Sequence, residues 1–178
     1  MHPLEMKAVL QSFSVISDTR EHETQRAQKR YKSMNVPIER AKLDYGDYSY
    51  NCTLPDGKRL YDIEKPIFPC CVVERKESLD ELAQCFTRGR DRFEREFTRA
   101  RDNGSRIYLL VENASWENLI NGKYRTRFNA NAFTASQIAW MVRFNMNVIY
   151  CKEETSGRII KEILYRDLKE RLERGDYG

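Results

Sequence analysis

The stretch "CCVVERKESLDEL", residues 70–82, decides how this chain is read. Its front half is a short, continuous apolar and β-branched run, the pattern of a strand covered on both faces. The run then passes into Glu74, Arg75 and Lys76, and Ser78 opens a helix. Serine is a favoured N-cap and Glu81 follows three residues later, the spacing of a capping box. Leu79, Leu82, Ala83 and Phe86 continue at helical spacing. Side chains alternate along a strand, so Val72, Glu74 and Lys76 share one face while Val73 and Arg75 point the other way. A carboxylate and an amine held together at the end of a strand suit a hydrolytic metal site. The carboxylate can hold Mg²⁺ or Mn²⁺, hard ions that take oxygen ligands, and the amine can orient the attacking water and lower its pKa.

One carboxylate holds such an ion weakly, so a second is expected from a neighbouring strand. "DYGDYSY" (44–50) offers Asp47 directly after Gly46, where glycine permits a turn or bulge. Further upstream, "ISDTRE" (16–21) places Asp18, Arg20 and Glu21 at the end of a first strand. Arg20 and Glu21 could simply pair with each other. Three strand ends thus each deliver an acid, and strand ends are where open α/β sheets build their sites. A lone E-x-K has little specificity. Its weight here comes from the apolar strand before it, the Gly-Asp upstream, and Asp80 four residues beyond the lysine. Asp80 has a plain alternative role, because an acid in the first turn of a helix is favoured by the dipole.

The remaining pattern is strands first, then helix and strand in alternation. Strands are expected at 11–17, on both sides of Gly46 within 38–54, at 70–76, 106–112 and 147–151. Helices are expected at 20–34, from Ser78 with a break at Gly89, at 132–145 and at 156–173. "PDGK" (55–58) reads as a tight turn, so 48–54 and 59–63 form a hairpin, and 113–131 reads as an irregular loop rich in Asn. This order implies an α/β fold of three layers, a central mixed sheet flanked by helices. The apolar stripe of the last helix, Ile159 to Leu172, is read as core or as an interface.

With 178 residues, 40% hydrophobic and 33% charged, the chain suits one domain with a packed interior. The net charge of +4 is mild, but arginines crowd residues 88–106, as a phosphate-binding strip or a solvated face laced with ion pairs. Arg88 and Arg90, beside the Gly89 break, are the main candidates there for phosphate contact. The loop "NGKYRTRFNANAF" (121–133) mixes Lys123, Arg125 and Arg127 with Tyr124 and Phe128, which suits a nucleic-acid strand or an ordinary polar loop. Five cysteines without a C-x-x-C pair argue against a zinc knuckle or a disulfide framework. Neither histidine has a visible partner, and no phosphate-binding glycine loop occurs. No apolar run is long enough to span a membrane, so the expected setting is intracellular, and cytoplasmic or nucleoid-associated if the source is bacterial or phage.

"GDY…VVERKESLD" resembles the signature of the XPF/Hef-type structure-specific endonucleases: Gly-Asp, a variable gap, Glu-Arg-Lys, three residues, Asp. Here these are Gly46-Asp47, Glu74-Arg75-Lys76 and Asp80. "SDTRE" is similar to the family's first-strand Asp-x-Arg-Glu, "QCFTRGRDRFEREFTRA" to its following helical region, and "RIYLLVE" to its next strand. The resemblance covers about residues 12–151 and implies a restriction-endonuclease-like domain of the PD-(D/E)XK superfamily. Carried over, Asp47 and Glu74 would be metal ligands with the backbone carbonyl of Arg75, the metal being Mg²⁺ with Mn²⁺ substituting. Lys76 would position or activate the water. Asp18 would support the metal site, and Asp80 would hold Arg75 or Lys76 or assist through water.

The resemblance implies cleavage of DNA near branches, flaps or single-strand/duplex junctions, with Arg20, Arg88 and Arg90 as DNA contacts. It also implies a homodimer, and allows a partner protein that supplies DNA-structure specificity. The chain departs from the pattern by a long insert, about 48–69, between Asp47 and Glu74, and by leaving no room after the nuclease core, about 12–173, for a helix-hairpin-helix module. Two further readings stand beside it. One is a catalytically silent DNA-binding or scaffold subunit that activates a partner nuclease, although such a subunit is expected to lose Asp47, Glu74 or Lys76. The other is a nuclease directed at RNA or acting in defence.

Overall fold

The computed structural model describes residues 1–176. The elements run α1 (Pro3–Gln11), β1 (Ser14–Asp18), α2 (Gln25–Met34), β2 (Ile38–Ala41), β3 (Tyr48–Asn51), β4 (Cys71–Lys76), α3 (Leu79–Phe86), α4 (Arg90–Asp102), β5 (Arg106–Glu112), α5 (Trp116–Ile120), α6 (Ala130–Phe144), β6 (Asn147–Cys151) and α7 (Glu153–Arg174). Six strands form one sheet in the order β2-β1-β3-β4-β5-β6. β1 pairs with β2, β4 with β5 and β5 with β6 in parallel, while β3 runs antiparallel to both β1 and β4. The fold is the expected mixed α/β sheet between two helical layers.

Strand alternation builds two cores. Val72, Ile107, Leu109 and Val111 face one layer, where Leu82, Phe86, Phe93, Phe97, Trp140 and Phe144 of α3, α4 and α6 close over them. Trp140 is fully buried and stacks on Phe93 at a centroid distance of 5.1 Å. Cys71, Val73, Tyr48, Tyr50 and Leu110 face the other layer, against Val9, Met34, Ile160, Leu164, Leu168 and Leu172 of α1, α2 and α7. The apolar stripe of α7 is therefore core, and it offers no free interface.

Several local expectations change. Ser78 caps α3 as expected, but Glu81 accepts from the N–H of Glu77, not from that of Ser78, so only half of the box forms. The hairpin after Gly46 is reduced: β3 stops at Asn51, and Thr53–Arg59 is an isolated bridge around the turn. Asn51 accounts for this, since its side chain turns to the backbone of Cys52 and Tyr61 and takes over the bonding that a second strand would supply. Two helices were not anticipated. α1 is capped by His2 with Pro3 at its first turn, and α5 is a single short helix capped by Ser115 inside the expected loop.

Two glycines hold the layers together by lacking a side chain. Gly46 has φ +74°, and a Cβ there would lie 1.9 Å from Cγ2 of Val72. Gly157 lets α7 meet α2, since a Cβ there would lie 2.1 Å from Oγ of Ser33 and 2.5 Å from the Arg30 carbonyl. Both strain and overpacking oppose alanine at position 46, so Gly46→Ala is expected to lower stability by about 2–5 kcal/mol. Gly157→Ala, which meets overpacking alone, is expected to cost about 1–3 kcal/mol. Urea unfolding of both variants checks this, and unchanged midpoints would contradict it.

Candidate active site

The left-handed backbone at Gly46 turns the chain into β3 so that Asp47 lies across from the end of β4. The Asp47 N–H donates to the Val73 carbonyl at 3.0 Å. Its Oδ2 accepts from the Arg75 N–H at 2.7 Å, so the carboxylate closes the β3–β4 ladder where Tyr48 and Val73 pair. Glu74 and Lys76 project from the same face of β4 as Val72, as alternation requires, and are buried. Lys76 Nζ donates to Glu74 Oε1 at 2.6 Å, lies 3.9 Å from Glu81 Oε1, and sits over the Phe93 ring at 5.3 Å.

The electrostatics are those of two acids crowded around one amine. Burial and the neighbouring Glu74 carboxylate push the Asp47 carboxyl well above the usual range, against the opposing pull of Lys76. Burial would depress the Lys76 ammonium, but Glu74 and Asp47 more than compensate, and its pKa stands above the ordinary lysine value. A cleft of about 430 Å³ opens on this face, lined by Glu74, Lys76, Glu81, Arg88, Arg92 and Glu96 among others. Among the described residues, no group of three or more His, Cys, Asp or Glu side chains is gathered to cage a metal. Two carboxylates beside an open cleft still fit Mg²⁺, which keeps several waters and is held by one or two carboxylates plus substrate phosphates.

Asp18 lies on the next strand, but both of its oxygens are committed. Oδ1 accepts from the backbone and Nε of Arg20, and Oδ2 accepts from the Leu43 N–H at 2.7 Å. It braces the β1 end, whose Asp18 N–H in turn donates to the Asp47 carbonyl at 2.9 Å. Arg20 therefore pairs with Asp18 and not with Glu21, while its side chain remains half exposed. Glu21 turns to the hydroxyl of Tyr48. Asp80 holds neither Arg75 nor Lys76: its Oδ1 accepts from the N–H groups of Arg125 and Thr126 at 2.7 and 2.9 Å. Placed in the first turn of α3, it is turned toward the 122–128 loop and away from β4. Arg88 lines the cleft and is exposed, whereas Arg90 starts α4 and is absent from the cleft wall.

The Arg75 side chain crosses to the opposite face of the sheet. Its Nη1 donates to Glu112 Oε2 at 3.1 Å, and Arg30 Nε reaches Glu112 Oε1 at 3.4 Å. Glu112 is fully buried. Removing it would strand two guanidinium groups of low exposure, a loss of about 3–5 kcal/mol for a broken buried pair. Sequence reading missed Glu112, Arg30 and Arg92. The only signal for Glu112 was an acid closing an apolar strand, which a solvent-facing strand end shows equally well.

The ERCC4 domain model matches residues 17–163. Among curated proteins, no sequence matches the chain. Among solved structures, the fold is similar to XPF from Aeropyrum pernix, with TM-score 0.60 and 19% identity over 86% of this chain and 61% of that one. The same protein in complex with DNA matches with TM-score 0.60 and 19% identity, over 89% of this chain and 66% of that one. The chain thus spans under two thirds of the length of these structures. The family model matches most of the sequence, so this chain belongs to the ERCC4 domain family, that of the XPF/Hef-type nuclease domains.

Proposed function

We propose that this protein is a metal-dependent DNA endonuclease that hydrolyses phosphodiester bonds at branched, flapped or forked DNA. The observation that carries this reading is that Glu74 and Lys76 line an open cleft together, with the Asp47 carboxylate close enough to feel both. The fold uses the Asp47 carboxylate to close the ladder but gives Glu74 no such backbone role, and the repulsion between the two acids, which Lys76 only partly offsets, costs stability. The XPF structure with DNA supports DNA as the substrate class.

In this reading Asp47, Glu74 and the Arg75 carbonyl would hold Mg²⁺ or Mn²⁺. When bound, the ion would polarise the scissile phosphate and lower the pKa of a bound water. Lys76 neutralises one of the two carboxylates and presents its ammonium to the cleft, where it can orient water and offset charge building on phosphate oxygens. Phe93 and the apolar wall beneath Lys76 keep the amine desolvated and fixed. Arg88 and Arg92 offer cations to the phosphates at the cleft rim, and Arg20 lies beside the Asp18 brace. Asp18 acts by positioning the strand end that carries Asp47. All of Asp47, Glu74 and Lys76 are retained, which disfavours a silent scaffold role.

The protein is also proposed to act as a homodimer. Along α6, Ile138 is 48% exposed and Val142 is 81% exposed one turn later, and the following strand, β6, is one of the two edges of the sheet. Exposed large apolar side chains next to an unpaired strand edge mark a surface that gains by being covered.

Cleavage of labelled single strand, duplex, flaps, fork and four-way junction is expected with Mg²⁺ or Mn²⁺ and not with EDTA. Asp47→Asn, Glu74→Gln and Lys76→Met should each lower the rate by about a hundredfold to a thousandfold. A rate unaffected by Asp47→Asn and Glu74→Gln would refute the assignment of these residues. In sedimentation, the wild type is expected to be dimeric and Val142→Glu to shift it to monomer; a monomeric wild type at micromolar concentration would refute the dimer.

A further inference from the structure

Asp80 spends its carboxylate on a loop that begins 45 residues away in sequence, at Arg125. Oδ1 takes both the Arg125 and Thr126 N–H groups, and Oδ2 lies 3.3 Å from Arg125 Nε. The carboxyl is held below its usual range: partial burial works the other way, and the two backbone N–H groups outweigh it. Residues 123–128 alternate in exposure. Lys123, Arg125 and Arg127 are exposed, and Tyr124, Thr126 and Phe128 are half-buried between them. Arg125 is 92% exposed despite its contact with Asp80.

The aromatic rings face inward. Phe128 stacks on Phe133 at 5.0 Å, Tyr124 meets the same ring edge-on at 5.4 Å, and the Tyr124 hydroxyl donates to the Phe128 carbonyl at 2.8 Å. They are therefore anchors in the core and not stacking platforms for bases. What the loop gives to solvent is a row of three cations, of which only Arg125 pairs with an acid among the described residues. Asp80 fastens this row to the first turn of α3, the helix whose Glu81, Gln84 and Cys85 line the cleft beside Glu74 and Lys76.

We propose that Lys123, Arg125 and Arg127, ordered by Asp80 over the N-terminus of α3, form a phosphate-contact surface for the DNA strand that passes beside the catalytic cleft. This rests on the nuclease reading above and deepens it. Three cations on a pre-ordered loop can neutralise phosphates without the entropic cost of ordering a flexible segment at binding. The last acid of the Gly-Asp, Glu-Arg-Lys, Asp set is then a positioning residue for substrate and not a metal ligand.

The test is binding of a labelled fork and a labelled duplex by the full chain in EDTA, across a salt series, with cleavage in Mg²⁺ measured in parallel. Lys123→Ala/Arg125→Ala/Arg127→Ala changes exposed side chains only, and its fold is checked by circular dichroism. It is expected to raise Kd at least tenfold at low salt and to flatten the slope of log Kd against log salt by about two to three. Asp80→Ala should weaken binding similarly and add little in the quadruple variant, whereas Asp80→Asn, which keeps an oxygen for the two N–H groups, should retain most of the affinity. Equal Kd and slope in wild type and triple variant, with wild-type cleavage intact, overturns this inference alone. Weakened binding in the triple variant, with no wild-type cleavage on any substrate, supports the surface and overturns the nuclease reading. Wild-type affinity in Asp80→Ala overturns the clamp.

Discussion

Asp47 accepts a 2.7 Å hydrogen bond from the Arg75 N–H, while its own N–H reaches the Val73 carbonyl at 3.0 Å. These two bonds join β3 to β4 at the end of the sheet, and much of the remaining structure depends on them. They require the chain to bend sharply just before Asp47, and only glycine fits there, because φ is positive and Val72 fills the place of a Cβ. They also fix the Asp47 carboxylate beside Glu74, so closing the sheet and assembling the acids are one event. β1 is tied in through the Asp18 N–H to the Asp47 carbonyl, and the Asp18 carboxylate in turn holds Leu43.

Alternation along β4 then divides the labour between the two layers. On the α3–α4 side, the buried Glu74 and Lys76 line the cleft, with Lys76 over the Phe93 ring and near Glu81. On the α2–α7 side, Arg75 is sunk into a polar network with Glu112, Arg30, Glu21 and Tyr48. A strand end would ordinarily fray. Here it is clamped by charges on one face while Glu74 and Lys76 stand on the other, a preorganised arrangement that the proposed chemistry would need. The crowding of Asp47 and Glu74 at low solvent exposure is unfavourable by itself, and Lys76 offsets only part of it.

Most of the architecture was legible because it follows from short-range pattern. Continuous apolar runs marked the strands at 70–76, 106–112 and 147–151, and Ser78 and Gly89 marked where the helices start and break. The two-faced use of Glu74 and Lys76 against Arg75 followed from alternation alone. Long-range partners were not legible. Nothing local says that Asp80 turns to a loop 45 residues on, that Asn51 replaces a hairpin, or that Arg30 and Arg75 share Glu112 across three elements. Gly157 could be read only once α2 was seen against α7. The aromatic and basic mixture at 123–128 suggested base stacking, and the rings instead pack into the core. The family assignment rests on the ERCC4 match over residues 17–163; of its signature, the fold brings Gly46-Asp47 against Glu74-Arg75-Lys76, while Asp80 turns to the 122–128 loop.

The most direct measurement is anomalous diffraction from crystals grown with Mn²⁺. The account predicts an anomalous peak at the site formed by Asp47 and Glu74, present in the wild type and absent from Asp47→Asn. Manganese bound elsewhere on the chain, with Lys76 Nζ still on Glu74 and no peak between the two acids, would contradict it.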